Sequence, residues 1–432
     1  MTAFDLLVRG GPAAADVGVL DGRIAAAGPQ LEGGGREELD ASGLLVLPGV
    51  VDAHVHLNDP GRAHWEGIAT GTAALAAGGT TTAIDMPLNA LPPTVDGAGF
   101  DAKVAAARGV ARVDLALWGG LVPGDLDRLD ELAARGVVGF KAFMADSGVP
   151  DFPAADDLTL LEGMARAARL GLPVAVHAES DALTRRLAAR AREAGRVTMR
   201  DYLGSRPAVA EAEAAGRAIA FAEASGCALH LVHLSTGRAV AAVAEARARG
   251  ADVTCETCPH YLVLGEEDAE RLGAVAKCAP PLRPAAERAA LLEHLAAGRI
   301  DLLASDHSPS PPELKAGADL FAAWGGIAGA QLLLALVLDT GVDVSLLPEL
   351  LAAAPARRFG LAPAKGRIEP GADADLVLVD PSASWTVRRE GLHDPHRIGP
   401  YLGRRLRGRA VRTILRGRTI AVDGGRSGIR RE

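Results

Sequence analysis

Six residues that can bind metal or move protons, His54, His56, Lys141, His177, His233 and Asp306, are spread through the middle of this 432-residue chain. Each stands at or just past the end of a short apolar run: GVVDAHVH, VVGFKAF, LPVAVHAES, CALHLVHLS and RIDLLASDHS. His54 and His56 are separated by one residue, so on an extended strand both imidazoles project to the same side and reach one cation. Lys141 lies in the least polar stretch of its neighbourhood, where burial and nearby cations favour the neutral amine over the ammonium. A neutral amine adds carbon dioxide to give a carbamate, an anionic two-oxygen group able to bridge two cations. Asp306 has two roles open to it, as a metal ligand and as the acceptor of a proton from a water shared by both metals. Two divalent cations set against carbamate, aspartate and hydroxide leave about one net positive charge to polarise a carbonyl. The pKa of the shared water is then drawn towards ~7, which makes it a competent nucleophile at neutral pH. The layout is that of a two-metal hydrolase. Mixed nitrogen and oxygen ligation admits zinc, cobalt, manganese or nickel, with zinc expected.

Converging these residues requires a particular scaffold. Apolar runs of four to eight residues suit strands covered on both faces, and the Ala/Leu/Arg-rich stretches between them have helical spacing. Strand alternating with helix predicts a (β/α)8 barrel over residues 49–361, with the polar strand ends meeting above its C-terminal rim. Residues 1–48 instead show short alternating segments broken by glycine, and β character returns over 362–432 in GRIEPGADADLVLVDP and RAVRTILRGRTIAVDGGR. The two ends are expected to form one small β-sandwich beside the barrel.

Bulk properties narrow the function. A formal charge of −8 argues against a nucleic-acid surface, and 49% hydrophobic residues support a large core. The opening MTAFDLLVRGG lacks the apolar stretch of a secretory signal, and no uncharged apolar run of about 20 residues occurs, so a soluble cytoplasmic protein without membrane contact is expected. Cys227, Cys255, Cys258 and Cys278 are too few and too embedded in strand-like sequence for a disulfide framework. The CxxC at Cys255 and Cys258 has no second copy and reads as ordinary buried thiols.

In the order and context of these six positions, the sequence resembles the cyclic amidohydrolases of the amidohydrolase superfamily, which include dihydroorotase, dihydropyrimidinase (hydantoinase) and allantoinase. The resemblance runs along essentially the whole chain. It implies that His54, His56, His177 and His233 are metal ligands, that Lys141 is the N6-carboxylated bridging ligand, and that Asp306 is both ligand and catalytic acid-base. The segments DPGRAHWEGIATGTAALAAGGTTTAIDMPLNALPPTV, GFKAFMADSGVPDFP, ETCPHYLVL, KCAPPLR, SDHSPSPPELK and AWGGIAG are most similar to the allantoinases, implying hydrolysis of allantoin to allantoate. Asn58 stands where a dihydroorotase is expected to carry the arginine that holds its substrate's carboxylate. Dihydropyrimidinases are expected to carry a tyrosine shortly after the lysine and a serine before PPLR; here Phe143 to Ser147 include no tyrosine and Ala279 stands in the serine's place, which weakens that alternative without removing it. A non-catalytic scaffold relative is a third alternative, disfavoured because all six positions are kept.

Candidate substrate contacts are Asn89, Ser308 and Trp324; each also has a structural reading, as strand terminator, turn cap and packing residue respectively. Allantoin is small, neutral and rich in amide donors and acceptors, which suits such groups. His260 is expected to support the site rather than ligate. SGVPDFP after Lys141 fits a mobile lid or a static loop equally well. The resemblance further implies a homotetramer.

Overall fold

The computed structural model describes residues 2–11 and 15–423. Four strands open the chain, β1 (Thr2–Arg9), β2 (Ala15–Leu20), β3 (Arg23–Pro29) and β4 (Gly34–Asp40), forming a sheet in the order β3-β2-β1-β4. β2 and β3 are antiparallel and turn at Asp21-Gly22, with φ of 51° and 75°. Two residues of positive φ make the hairpin turn whose twist matches that of its strands. β5 (Leu45–Pro48) then leads to the barrel.

The barrel is built from β6 (Val50–Val55), β7 (Thr80–Asp85), β8 (Asp114–Leu117), β9 (Gly119–Gly120), β10 (Phe140–Phe143), β11 (Val174–His177), β12 (Leu229–Leu231), β13 (Val253–Thr257) and β14 (Leu302–Leu303). β6 to β8 form one parallel sheet and β9 to β14 another. β8 and β9 are one strand course interrupted at Trp118, whose fully buried indole donates to the Ala53 carbonyl at 3.1 Å. At the other seam Val55 and His307 form a parallel bridge and the His56 amide donates to the His307 carbonyl at 2.8 Å. Eight strand courses, counting β8 and β9 once, thus alternate with helices in the TIM-like pattern.

Local sequence explains these elements. β10 and β11 are buried at every position, as strands sandwiched between barrel interior and helices must be. The helix Asp157–Leu170 starts where the Asp156 side chain accepts from the Thr159 amide and stops at Gly171, φ 68°. Its buried stripe of Leu160, Gly163, Met164 and Ala167 has the spacing of one helical face. Among the described residues no helix is long and apolar enough to cross a membrane.

After the barrel, β15 (Leu376–Thr386), β16 (Arg405–Leu415) and β17 (Arg418–Val422) join β5 in the order β17-β16-β15-β5. The second sheet therefore combines a strand from before the barrel with three from after it. Leu6, Val8, Val17, Ile24, Leu376 and Ile414 share the core between the two sheets.

Lys365 ties this sandwich to the barrel. Its ammonium lies 2.5 Å from Asp114, at the start of β8, and 2.9 and 2.6 Å from Asp373 and Asp375, just before β15. Burial favours the neutral amine, but Asp375 and the hydrogen bonds of the other carboxylates outweigh it and raise the lysine's pKa. A raised folded pKa stabilises fully below the ordinary lysine value and is lost as pH rises through the folded value. Lys365→Met should destabilise the protein by about 3 kcal/mol near neutral pH, because Asp375 loses its counter-charge while Asp114 and Asp373 keep only Arg416 and Arg23. Thermal melts of both proteins should show that gap shrinking as pH falls towards the carboxylate range of about 4. A gap independent of pH would show that the charge of Lys365 is not what matters.

Candidate active site

The scaffold brings the candidate residues to the C-terminal rim, with one difference from the expected pattern. His54 lies within β6 and His56 follows its end, His177 closes β11, and His233 and Asp306 stand just past β12 and β14. Lys141, by contrast, is inside β10 rather than at its end. The rim is also where backbone leaves the common regions: Asn58, Asn89, His233 and Asp306 have φ of 62°, 71°, 40° and 43°. Asparagine and aspartate tolerate this conformation, whereas for histidine it costs more, and such strain persists where packing overdetermines it.

His54, His56, His177, His233 and Asp306 line one cavity of about 560 Å³, together with Asn89, Ser308 and Trp324. The Nε2 atoms of His54 and His56 lie 3.3 and 3.4 Å from Asp306 Oδ1. His177 Nδ1 is 3.0 Å from His233 Nε2. The His233 ring centroid is 5.3 Å from that of His54, which links the two groups. Lys141 does not line the cavity; it is fully buried, with its Nζ 5.0 Å from the centre of the Phe143 ring. The same Phe143 ring stacks on His177 at 4.5 Å.

The donor set suits cations. Lys141 Nζ, His56 Nδ1 and His233 Nδ1 are buried with no hydrogen-bond partner, which is costly unless something else satisfies such groups. Burial brings the Lys141 ammonium down to about 7, against the attraction of Glu256 and Asp306. Burial, then His177 and Lys141, hold His233 well below the ordinary imidazole value. For Asp306 burial acts the other way, but His54 and His56 override it and keep the carboxyl well below its usual range. A neutral His233 imidazole, an amine that readily loses its proton and a firmly ionised carboxylate are therefore gathered in one site.

Around them lies a set of buried carboxylates that spacing alone did not reveal. Burial raises the Glu256 pKa, yet His54 and His230 more than compensate and bring it down to about 2. As a carboxylate it accepts from His54 Nδ1 at 2.6 Å, from His230 Nε2 at 3.1 Å and from the His233 amide at 3.3 Å. Glu179 accepts from His177 Nε2 at 2.8 Å and pairs with Arg206. The bonds to His54 and His177 leave the other ring nitrogen of each facing the centre, His54 Nε2 towards Asp306 and His177 Nδ1 towards His233, whereas His230 Nδ1 is held by Thr254. Glu66 accepts from His307 Nε2 at 3.0 Å while His307 Nδ1 accepts from the Gly329 and Ala330 amides, pinning the loop that carries Asp306. The available signal was a carboxylate in or just after a buried strand, as in DVTCET and AVHAES.

Asn58 is buried and donates to the Pro309 carbonyl instead of lining the cavity. His260 is buried with neither ring nitrogen partnered. The loop after Lys141 is tied within itself: Ser147 Oγ donates to the Phe152 carbonyl at 2.6 Å, and Phe152 packs on the edge of Phe143.

The model of the amidohydrolase family matches residues 45–417, from β5 through the whole barrel to the end of β16. The chain belongs to this family. Among amidohydrolase-family proteins it is 63% identical to the allantoinase of Rubrobacter xylanophilus, over 99% of this chain and 96% of that one. The allantoinase of Solibacter usitatus is 55% identical, over 95% and 91%. Among solved structures, the L-hydantoinase of Arthrobacter aurescens superposes with a TM-score of 0.94 at 35% identity, covering 98% of this chain and 97% of that one. The dihydropyrimidinase of Brevibacillus agri gives a TM-score of 0.89 at 31% identity, covering 96% and 94%.

Proposed function

We propose that this protein is an allantoinase: it hydrolyses the hydantoin-ring amide of allantoin to give allantoate. The supporting observation is a single cavity lined by four imidazoles, Asp306 and unpartnered amide-matching groups, in a chain similar along its length to allantoinases. His54, His56, His177, His233, Asp306 and a carboxylated Lys141 would hold two divalent cations. When bound, the cations supply Lewis acidity towards the amide carbonyl and acidify the attacking water.

The chain's own groups do the rest. Asp306, ionised and 12% exposed at the cavity wall, takes a proton from the attacking water and passes it to the ring nitrogen as the amide bond breaks. The neutral amine of Lys141, the form that reacts with carbon dioxide, is well populated at neutral pH because burial has lowered its pKa. Asn89 Oδ1 and Trp324 Nε1 are buried polar atoms without partners, an acceptor and a donor placed for an amide-rich substrate; Ser308 adds a hydroxyl. We further take zinc as the native metal, and a cytoplasmic homotetramer as the working assembly, on family resemblance alone.

Glu256→Gln keeps the size of the side chain but removes the charge that makes His54 a better donor. Metal affinity, read by competition with a chelator, should fall about 10- to 100-fold. Unchanged affinity would mean that Glu256 does not tune His54.

The direct test is hydrolysis of allantoin, dihydroorotate, hydantoin and dihydrouracil by protein loaded with zinc, cobalt or manganese, beside chelator-treated controls. Preferential, metal-dependent allantoate formation is expected. Turnover of hydantoin or dihydrouracil without allantoin would instead move the substrate to that of the structural neighbours.

A further inference from the structure

Next to Asp306, and not among the residues that line the cavity, two groups are left over by the mechanism. Cys258 follows the end of β13, and His260 sits in the first turn of the short helix Pro259–Val263. Both are essentially inaccessible, at 0% and 1% exposure, and neither lines the cavity. Their donor atoms and a carboxylate oxygen of Asp306 all lie within 4.8 Å of one another. His260 has no hydrogen-bond partner at either ring nitrogen, so a buried imidazole points a free lone pair into this group. β13 and β14 are neighbours in the sheet, which is why the loops following them meet here.

We propose that Cys258, His260 and Asp306 form a third cation site, selective for thiophilic divalent ions such as cadmium, whose occupation inhibits the enzyme by withdrawing Asp306 from the reaction. The chemistry separates it from the main centre. There the donors are imidazole nitrogen and carboxylate-type oxygen, which serve borderline and hard ions, whereas a thiolate selects soft ones. Donors around a tetrahedral zinc sit roughly 3.3–3.6 Å apart and those around the larger cadmium somewhat farther, so groups already within 4.8 Å of one another need at most about 1 Å of closure, within reach of side-chain rotation. Entry is past Asp306, the one member of the three that touches the cavity. On binding, the Cys258 thiol gives its proton to solvent and forms one metal–sulfur bond; nothing is oxidised or reduced. The inhibitory half of the proposal rests on the role given to Asp306 above, but the site itself does not.

Cadmium added to the metal-loaded enzyme should produce an ultraviolet thiolate-to-cadmium absorption band, with one proton released for each ion bound. Cadmium X-ray absorption on the same unsubstituted protein should show one sulfur among nitrogen and oxygen neighbours. A shell of nitrogen and oxygen only, or one holding two sulfurs, would overturn the site without recourse to any variant. Cys258→Ser should lose the band and Cys278→Ala should keep it; a band surviving in Cys258→Ser overturns the assignment. Cadmium that saturates the band should also stop turnover, and a thiol chelator should restore it. Equal inhibition in Cys258→Ser, with no band, would refute the inhibitory role. The spectroscopic readings need no substrate, so failure of allantoin hydrolysis and failure of this site are told apart.

Discussion

Lys141→Ala should lower kcat for allantoin at least about 10³-fold, and short carboxylic acids such as formate or acetate should restore part of it. The loss corresponds to about 4 kcal/mol, the scale of transition-state charge stabilisation that a correctly assembled metal pair supplies. Lys141 is the only one of the six that can become an anion by reacting with carbon dioxide. Lys141 is fully buried with its Nζ 5.0 Å from the Phe143 ring, so truncating it removes the side chain in whose place an added carboxylate must stand. Lys141→Arg is a useful control, since a guanidinium does not form the carbamate and should not be rescued. The metal-free protein adds a second reading. Because Lys141 Nζ has no hydrogen-bond partner, Lys141→Met should melt no lower than the unsubstituted metal-free protein. Absence of any rescue in a folded Lys141→Ala protein would remove the carbamate from the scheme.

Asp306→Asn should lower kcat by about 10²- to 10⁴-fold while much of the bound metal is retained. The amide keeps an oxygen in place of Oδ1, which lies 3.3 and 3.4 Å from the two HxH nitrogens, but it cannot take up the proton. Metal content and kcat measured on the same preparation separate the two roles. Loss of activity in step with loss of metal would make Asp306 a ligand alone, and full activity would exclude it from proton transfer. The site shares its charge among several groups, so double substitutions with Glu256 are expected to be non-additive.

Much of this was legible in the chain because it follows from local rules. Burial of FKAF and VAVH follows from the apolar residues that surround the one polar member of each, Lys141 and His177, and the glycines and alternation near both ends foreshadow the two hairpin-rich sheets. The HxH pair meets Asp306 as expected because alternate residues of a strand face one way. Asn89, Ser308 and Trp324 line the cavity, on loops that follow strand ends at the rim. The interior position of Lys141 was not legible, because an apolar run does not show which of its residues pairs first or last with a neighbour.

By itself, then, the sequence determined which residue types are available for chemistry, their order on successive strands and the alternation that makes a barrel. Only the tertiary structure decided the partners. Glu256 meets His54 across 202 positions and Glu66 meets His307 across 241. Lys365 gathers carboxylates from the barrel and the sandwich, and Cys258 and His260 come to lie next to Asp306. For the ion pairs the physical reason is the same. A buried charge or lone pair must be satisfied by whatever polar group closure of the barrel brings within about 3 Å, and that distance is set by packing in space rather than by separation along the chain.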